Sequence, residues 1–207
     1  MPRLPRIIIS LGLFLALTTN VHAEGGGIYV GGMVGTTYRP DTLLTSPSLG
    51  TQEMEFNLGF TFGTFIGYDF GNNFRLEGEI SYRENQIRTG GGDDPQAGTS
   101  ALMVNGFYDF FPFKKSFEIY IGGGFGMATA QLATISLGQV IDTSETLFAY
   151  QLETGVGWNF SPLVNFSLGY RYFDAADPEF ALASGSRARM ELENHELLLK
   201  MRYRFDL

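Results

Sequence analysis

His195 could take part in acid–base chemistry, and its neighbours define one possible reaction. Glu193 lies two residues before it, and Ser184 and Ser186 precede both. A serine, a histidine and a glutamate in contact could hydrolyse an ester, as a lipase does. No motif positions a serine nucleophile beside this histidine, so a histidine without a catalytic role is the simpler interpretation. We expect no enzymatic activity.

Two other stretches suggest ligand chemistry but lack the partners that it needs. Asp93 and Asp94 could bind a hard cation together with loop carbonyls, but the ligand spacing of an EF-hand is absent. The glycines at 122–126 suggest a phosphate loop, yet no Lys-Ser/Thr pair and no predicted helix follow them. We therefore predict no catalytic residue, no cofactor site and no metal site.

The most regular charge spacing lies within residues 74–83. The charged residues Arg75, Glu77, Glu79 and Arg83 alternate with apolar ones. Successive side chains of a β-strand point to opposite faces, so this pattern predicts a strand with a charged face and an apolar face. In a soluble sandwich the charged face would meet water. In a membrane barrel the apolar face would meet lipid and the charged face would line the interior.

Seven further stretches alternate in the same way, and each is long enough for a tilted transmembrane strand of ~10 residues. The eight predicted strands are 27–38, 56–70, 74–83, 100–110, 117–129, 148–160, 164–173 and 193–207. Short turns at 71–73, 111–116 and 161–162 alternate with long polar loops at 39–55, 84–99, 130–147 and 174–192. This pattern predicts an all-β fold: an eight-stranded antiparallel up-and-down transmembrane β-barrel with short periplasmic turns and four long extracellular loops.

Aromatic residues distinguish the barrel from a sandwich, because they occupy the outward phase near both ends of the strands. Aromatic belts of this kind sit at the headgroup level of a membrane, whereas a soluble sandwich has no reason to form them. Near the short turns they are Phe70, Phe74, Phe110, Phe117, Trp158, Phe160 and Phe205, and near the long loops Tyr38, Phe56, Tyr82, Phe148 and Tyr172.

Residues 1–23 have the features of a signal peptide, which leaves 24–207 as the barrel domain. Arg3 and Arg6 precede a short apolar stretch, and Val21-His22-Ala23 predicts cleavage after Ala23. Cleavage would change the formal net charge from −8 to −10, which argues against a nucleic-acid partner. The absence of cysteine excludes a disulfide framework.

The inward phase of the strands carries seven acids and six bases, which predicts a paired ionic network rather than a field of one sign. Buried charges must be paired, so we expect them to fill a narrow lumen, with inward glycines making room for the long side chains. The predicted network is Arg75, Glu77, Glu79, Arg83, Asp109, Glu118, Glu153, Arg171, Glu196, Lys200, Arg202 and Arg204, and Asp69 is the remaining acid.

Seven stretches together resemble the eight-stranded outer-membrane β-barrel family that includes opacity-type surface proteins, the membrane domain of OmpA-like proteins and related surface antigens of intracellular α-proteobacteria. They are 27–31, 74–83, 104–110, 120–126, 150–156, 168–173 and 195–205. The resemblance implies the outer membrane of a Gram-negative bacterium. It also implies as partners outer-membrane lipid and lipopolysaccharide, periplasmic chaperones, and an assembly machinery that reads Tyr203, Phe205 and Leu207 of the final strand.

Fold alone does not specify the role of such a barrel. We expect a structural or surface-exposed role, similar to that of an adhesin or antigen, with a mostly plugged lumen. The long loops each carry a formal charge of −2 and could bind a basic extracellular ligand. A narrow porin for small solutes is the alternative, and a lipid-modifying outer-membrane enzyme is a more distant one.

Overall fold

The computed structural model describes residues 26–40, 42–46, 50–54, 58–86, 96–113, 116–136, 139–176, 179–181, 187–189 and 192–205. These residues contain no helix long and apolar enough to span a membrane. They form the strands β1 (Gly27–Tyr38), β2 (Thr42–Ser46), β3 (Gly50–Met54), β4 (Gly59–Asp69), β5 (Phe74–Gln86), β6 (Gln96–Phe113), β7 (Phe117–Ser136), β8 (Gln139–Asn159), β9 (Val164–Ala175), β10 (Glu179–Ala181), β11 (Arg187–Arg189) and β12 (Asn194–Arg204).

Eight of these strands close into an antiparallel barrel in the order β1-β12-β9-β8-β7-β6-β5-β4, with β4 returning to β1. Each barrel strand therefore pairs with the barrel strands before and after it in the chain. The closing pair is β1 with β12, from Tyr29 opposite Arg204 to Tyr38 opposite His195. Closure leaves no barrel strand with an unpaired edge, as a membrane-spanning sheet requires. The predicted eight-stranded up-and-down barrel is confirmed.

Alternation within each strand makes the barrel interior polar and its exterior apolar. On β5, Glu77 and Glu79 are 1% and 0% exposed, whereas Leu76 and Ile80, on either side of them in the sequence, are 48% and 63% exposed. A period of two produces this difference because each strand has one face toward the lumen and one away from it. The outward apolar surface is suited to contact with lipid, because acyl chains have no hydrogen-bonding groups.

The turn between β4 and β5 shows why the sequence changes direction at residues 70–73. Gly71 and Asn73 both have positive φ, 74° and 73°, a conformation that glycine and asparagine tolerate best. The Asp69 carboxylate accepts a hydrogen bond from the Gly71 amide at 2.8 Å, and the Asn72 side chain accepts one from the Phe74 amide at 3.2 Å. These side chains replace the strand hydrogen bonds that the turn interrupts.

The predicted loop 130–147 is wrong, because most of it extends the hairpin of β7 and β8. The ladder continues from Thr129 opposite Thr146 to Ser136 opposite Gln139. The segment is rich in β-branched residues, which favour extended backbone even where both faces are polar. Its polarity led to the prediction of a loop, whereas the strand pairing continues through it. β6 is likewise longer than predicted and begins at Gln96.

The predicted loops 39–55 and 174–192 also contain strands, which form a separate four-stranded sheet in the order β10-β11-β2-β3. Arg189 of β11 lies opposite Thr45 of β2, so the first and last long connections of the barrel are joined. Short strands of this kind are not visible as alternation because three to five residues carry too little periodicity. The predicted signal peptide and most of the loop 84–99 lie outside the described residues.

Candidate functional site in the barrel lumen

The structure places all twelve predicted network residues on the inward side of the barrel. Eleven of them are at least nine-tenths buried, and Arg204 is the more exposed residue at the short-turn mouth. Alternation on β5, β6, β7, β8, β9 and β12 positions them at successive levels along the barrel axis. These levels follow one another from the short turns toward the long loops.

Two ion pairs lie nearest the short turns. Arg204 donates to Asp69 at 2.6 Å, and Arg202 donates to Glu118 at 2.7 Å. Gly157 lies beside Glu118, and a Cβ at this glycine would be 2.6 Å from the Glu118 Cγ. A glycine at this position therefore leaves the space that the buried carboxylate occupies.

Arg75 forms the next level and is held on three sides. Its Nε and Nη2 donate to the two oxygens of Asp109 at 2.6 and 2.8 Å, and its Nη1 donates to Glu77 at 2.7 Å. The Tyr29 hydroxyl donates to the same Glu77 oxygen at 2.8 Å, and the Phe107 ring lies 4.8 Å from the guanidinium. Bidentate pairing of this kind fixes both the position and the orientation of the arginine.

The central level is organised by Arg171, which binds two glutamates at once. It donates to both oxygens of Glu79 at 2.9 and 2.8 Å, and to Glu153 at 2.7 and 3.0 Å. Lys200 and Tyr120 each donate to the other Glu153 oxygen at 2.9 Å. Every one of these side chains is buried, and together they form a layer of hydrogen bonds across the lumen.

The fourth level contains Arg83 and Glu196, which are joined at 2.7 Å. The Arg83 guanidinium also lies 3.6 Å from the centre of the Phe173 ring, a cation–π contact. Beside it, small apolar side chains of β6–β9 fill the remaining cross-section. These are Ala101, Ala128, Ala130, Ala149 and Ala175.

Arg39 is a lumen residue, although it lies in the predicted loop 39–55. Its side chain is 1% exposed, and its Nε donates to Asn194 at 3.3 Å. Burial, and then the positive charge of Arg83, lower the pKa of Arg39 to about 10, so it is still charged at neutral pH. With Arg39, the described lumen holds seven acids and seven bases. The alternation of β1 continues through Thr37 to Arg39, and this signal could have identified it.

Uncharged side chains also belong to the network. Counting the charged residues in the sequence could not identify them. Asn105 donates to Glu79 at 3.1 Å, and Gln151 donates to Asn105 at 2.7 Å. The prediction that inward glycines make room for long charged chains holds at Gly157 but is wrong at Gly67. There, the space is filled by the Tyr29 ring. Much of the lumen is therefore packed by aromatic rings between the ion pairs.

The remaining predicted residues lie apart from the lumen. His195 faces outward, its Nδ1 is 2.6 Å from the Tyr170 hydroxyl, and its Nε2 is 3.2 Å from Glu193. Ser184, Ser186, Asp93, Asp94 and Leu207 lie outside the described residues. Gly122, Gly124 and Gly126 are in β7, not in a loop. Tyr203 and Phe205 lie on the outer surface with ring centres 5.4 Å apart.

No group of three or more histidine, aspartate or glutamate side chains in the described part of the chain is arranged to hold a metal ion. The interior instead holds carboxylates that are paired with arginine and lysine side chains. One interior cavity lies between Phe65, Tyr120 and Lys200 and has a volume of about 10 Å³. That volume is at the lower limit for a single water molecule.

Comparisons with known proteins agree with this architecture. Neisserial surface protein A (NspA) is 20% identical, with 88% of this chain and 100% of that chain covered and a TM-score of 0.56. OprG from Pseudomonas aeruginosa is 13% identical, with coverage of 88% and 97% and a TM-score of 0.59. AlkL is 14% identical, with coverage of 95% and 97% and a TM-score of 0.53.

A search of curated protein sequences found no match. Residues 8–205, by contrast, match the family described as outer membrane protein beta-barrel domain. This match covers most of the sequence, and the solved barrels share its fold. The chain therefore belongs to the outer-membrane β-barrel family.

Proposed function

We propose that this outer-membrane barrel is closed to solutes and acts as a surface-displayed scaffold for recognition. The layered ion-pair network is the observation that carries the proposal. Four levels of paired charges cross the lumen between its mouths, and the central level joins Arg171, Glu79, Glu153 and Lys200. A solute path would require these buried pairs to separate.

Separation of the pairs is energetically unfavourable. Removing the partner of a buried charge typically destabilises a protein by ~3–5 kcal/mol. A thermal fluctuation that opened a continuous path would have to break several pairs at once. Because opposite charges are balanced at seven each in the described lumen, the interior also has no excess charge to attract ions of one sign.

Recognition is proposed for the end of the barrel that carries the second sheet. β2, β3, β10 and β11 join the first and last long connections, and the long β7–β8 hairpin extends from the barrel at the same end. Binding residues are often held on loops that a rigid scaffold positions. The acidic composition of these connections favours a basic extracellular ligand. The proposed role includes no catalytic step.

Planar-bilayer recording tests the closed lumen. The purified, refolded barrel should insert, as shown by a different migration of unboiled and boiled samples on a gel, and should give no steady conductance steps. A large, well-defined conductance from the wild-type protein would contradict the proposal. The narrow porin would then be the better assignment.

Epitope tags test surface display and orientation. A tag inserted within residues 90–92 should be labelled by antibody on intact cells. A matched tag between Ser161 and Pro162, in a short turn, should be labelled only after the outer membrane is permeabilised. The reverse pattern would contradict the proposed orientation, and labelling of neither tag on intact cells would contradict display.

A further inference from the structure

A tyrosine hydroxyl, that of Tyr170, reaches His195 on the outer face of the barrel. The Tyr170 hydroxyl oxygen is 2.6 Å from His195 Nδ1, and His195 Nε2 is 3.2 Å from a carboxylate oxygen of Glu193. A neutral imidazole with its proton on Nε2 accepts from the tyrosine and donates to the glutamate. These contacts form a continuous line from a phenol through an imidazole to a carboxylate.

The pairing of β9 with β12 positions this line. Tyr170 and Tyr172 share the outward face of β9, because side chains alternate along a strand. His195 of β12 lies opposite Tyr172, and Leu197 lies opposite Tyr170, so Tyr170 is the diagonal neighbour of His195. Diagonal neighbours on one face of a sheet are within reach of aromatic side chains. The register of one ladder therefore brings the phenol and the imidazole together.

Tyrosine rings pack around His195 on this face. The ring centres of Tyr38, Tyr170 and Tyr172 are 6.3, 6.1 and 5.6 Å from the His195 ring centre. Tyr38 and Tyr170 are 48% and 47% exposed, so the cluster is open to the medium at the long-loop end of the barrel. A molecule in that medium can reach the Tyr170 ring without entering the lumen.

The contact with His195 is suited to the one-electron oxidation of Tyr170. A phenol that loses an electron alone becomes a strongly acidic radical cation, and a charged ring is unfavourable beside apolar lipid. A base within hydrogen-bond reach, ~2.6–3.2 Å, can take the proton as the electron leaves. Neutral imidazole is the side chain that most readily accepts a proton near neutral pH. The distance of 2.6 Å between Tyr170 and His195 meets this requirement.

We propose that Tyr170 is a redox-active tyrosine, which gives one electron to an oxidant in the surrounding medium, such as a peroxyl radical or a high-potential metal complex. The electron passes to the oxidant, the O–H bond of Tyr170 breaks, and the proton moves to His195 Nδ1. The products are a neutral tyrosyl radical, the reduced oxidant, and an imidazolium held by the Glu193 carboxylate. The inference goes beyond the proposed recognition role and does not depend on whether the lumen conducts.

Tyr150 provides a comparison within the same region. Its hydroxyl donates to the Asp174 carboxylate at 2.8 Å, and its ring is 41% exposed. Tyr150 therefore resembles Tyr170 in exposure and in having a proton acceptor. A carboxylate is, however, a weaker base than a neutral imidazole. We expect Tyr170 to be oxidised before Tyr150 for this reason.

Stopped-flow oxidation of the folded barrel in lipid nanodiscs, with hexachloroiridate(IV) as the oxidant, tests the proposal. The absorbance of the oxidant should fall in a fast phase, and this phase should be slower in D₂O because the O–H bond breaks in the same step. A nitroso spin trap followed by peptide mass spectrometry should place the first adduct on Tyr170. A first adduct on any other residue, or a fast phase with the same rate in D₂O, would overturn the proposal.

Variants separate the tyrosine from its proton acceptor. Tyr170→Phe should abolish the fast phase. His195→Phe keeps a ring but removes the base, and should slow the phase at least ~10-fold. Different migration of unboiled and boiled samples on a gel shows that each variant is folded.

Tyr150→Phe is the matched control, because it removes a similarly exposed and hydrogen-bonded phenol and should leave the fast phase unchanged. A fast phase that survives Tyr170→Phe, or that Tyr150→Phe removes equally, would overturn the assignment to Tyr170. A His195→Phe barrel that reacts at the wild-type rate would overturn the role of the imidazole.

Discussion

Arg171 and Glu79 form a bidentate ion pair across the full width of the barrel. Both terminal nitrogens of the arginine donate to the glutamate, at 2.9 and 2.8 Å. Arg171 is on β9 and Glu79 is on β5, and three strands separate them in either direction around the barrel. The pair therefore ties opposite walls together at a level where both side chains are completely buried.

Removing this arginine should strongly destabilise the barrel. Arg171→Met leaves the buried carboxylates of Glu79 and Glu153 without their main partner, and we expect a loss of ~3–5 kcal/mol in the free energy of unfolding. Urea unfolding in lipid vesicles, followed by the fluorescence of Trp158, measures it. Arg204→Met is the control, because its pair with Asp69 is at the mouth and should contribute about 0–1 kcal/mol. Equal losses for both variants would contradict the central role of Arg171.

Neutralising Glu79 should open a wet path through the closed lumen. Glu79→Ala removes the acceptor for Arg171 and Asn105 and leaves a space that water can enter, so brief conductance steps should appear in planar bilayers where wild-type protein gives none. Asp69→Ala, at the short-turn mouth, should leave the recording unchanged. A silent Glu79→Ala barrel that is correctly inserted would show that the other levels close the lumen without it.

Adding one methyl group inside the barrel should destabilise the fold, whereas the same change on the outer surface should not. At Gly155 a Cβ would be 2.5 Å from the Leu168 carbonyl oxygen and 2.6 Å from the Tyr120 hydroxyl. Gly155→Ala should therefore displace Tyr120 from Glu153 and reduce stability by ~1–3 kcal/mol. Gly106→Ala is the control, since a Cβ there meets nothing within 4 Å. Urea unfolding compares the two, and a neutral Gly155→Ala would contradict the tight packing of the lumen.

The end of the final strand should be needed for assembly. The Phe205 amide donates to the carbonyl oxygen of Ile28 at 3.0 Å, so this residue completes the seam between β12 and β1. We expect a truncation lacking residues 203–207, and to a smaller extent Phe205→Ala, to accumulate as a degraded periplasmic species. Phe160→Ala alters another exposed ring near a short turn and should assemble normally. Outer-membrane fractionation with unboiled gels measures folded protein, and normal levels of the truncation would contradict the prediction.

The sequence by itself determined which way each barrel side chain points. Once a strand begins, a period of two assigns every residue to the lumen or to the lipid, as Glu77, Leu76 and Glu79 illustrate. This information is local, because it depends only on neighbouring residues and the geometry of extended backbone. It was sufficient to predict the closed barrel, its eight strands and every charged residue described in its interior except Arg39.

Tertiary structure decided which charges meet. Arg171 and Glu79 are 92 residues apart, and their contact depends on strand order and on the register of every ladder between them. Arg39 became a lumen residue because β1 continues its alternation past Tyr38 at the mouth of the closed barrel. Pairing is decided by closure of the barrel, since only closure sets the distances between strands that are not neighbours in the chain.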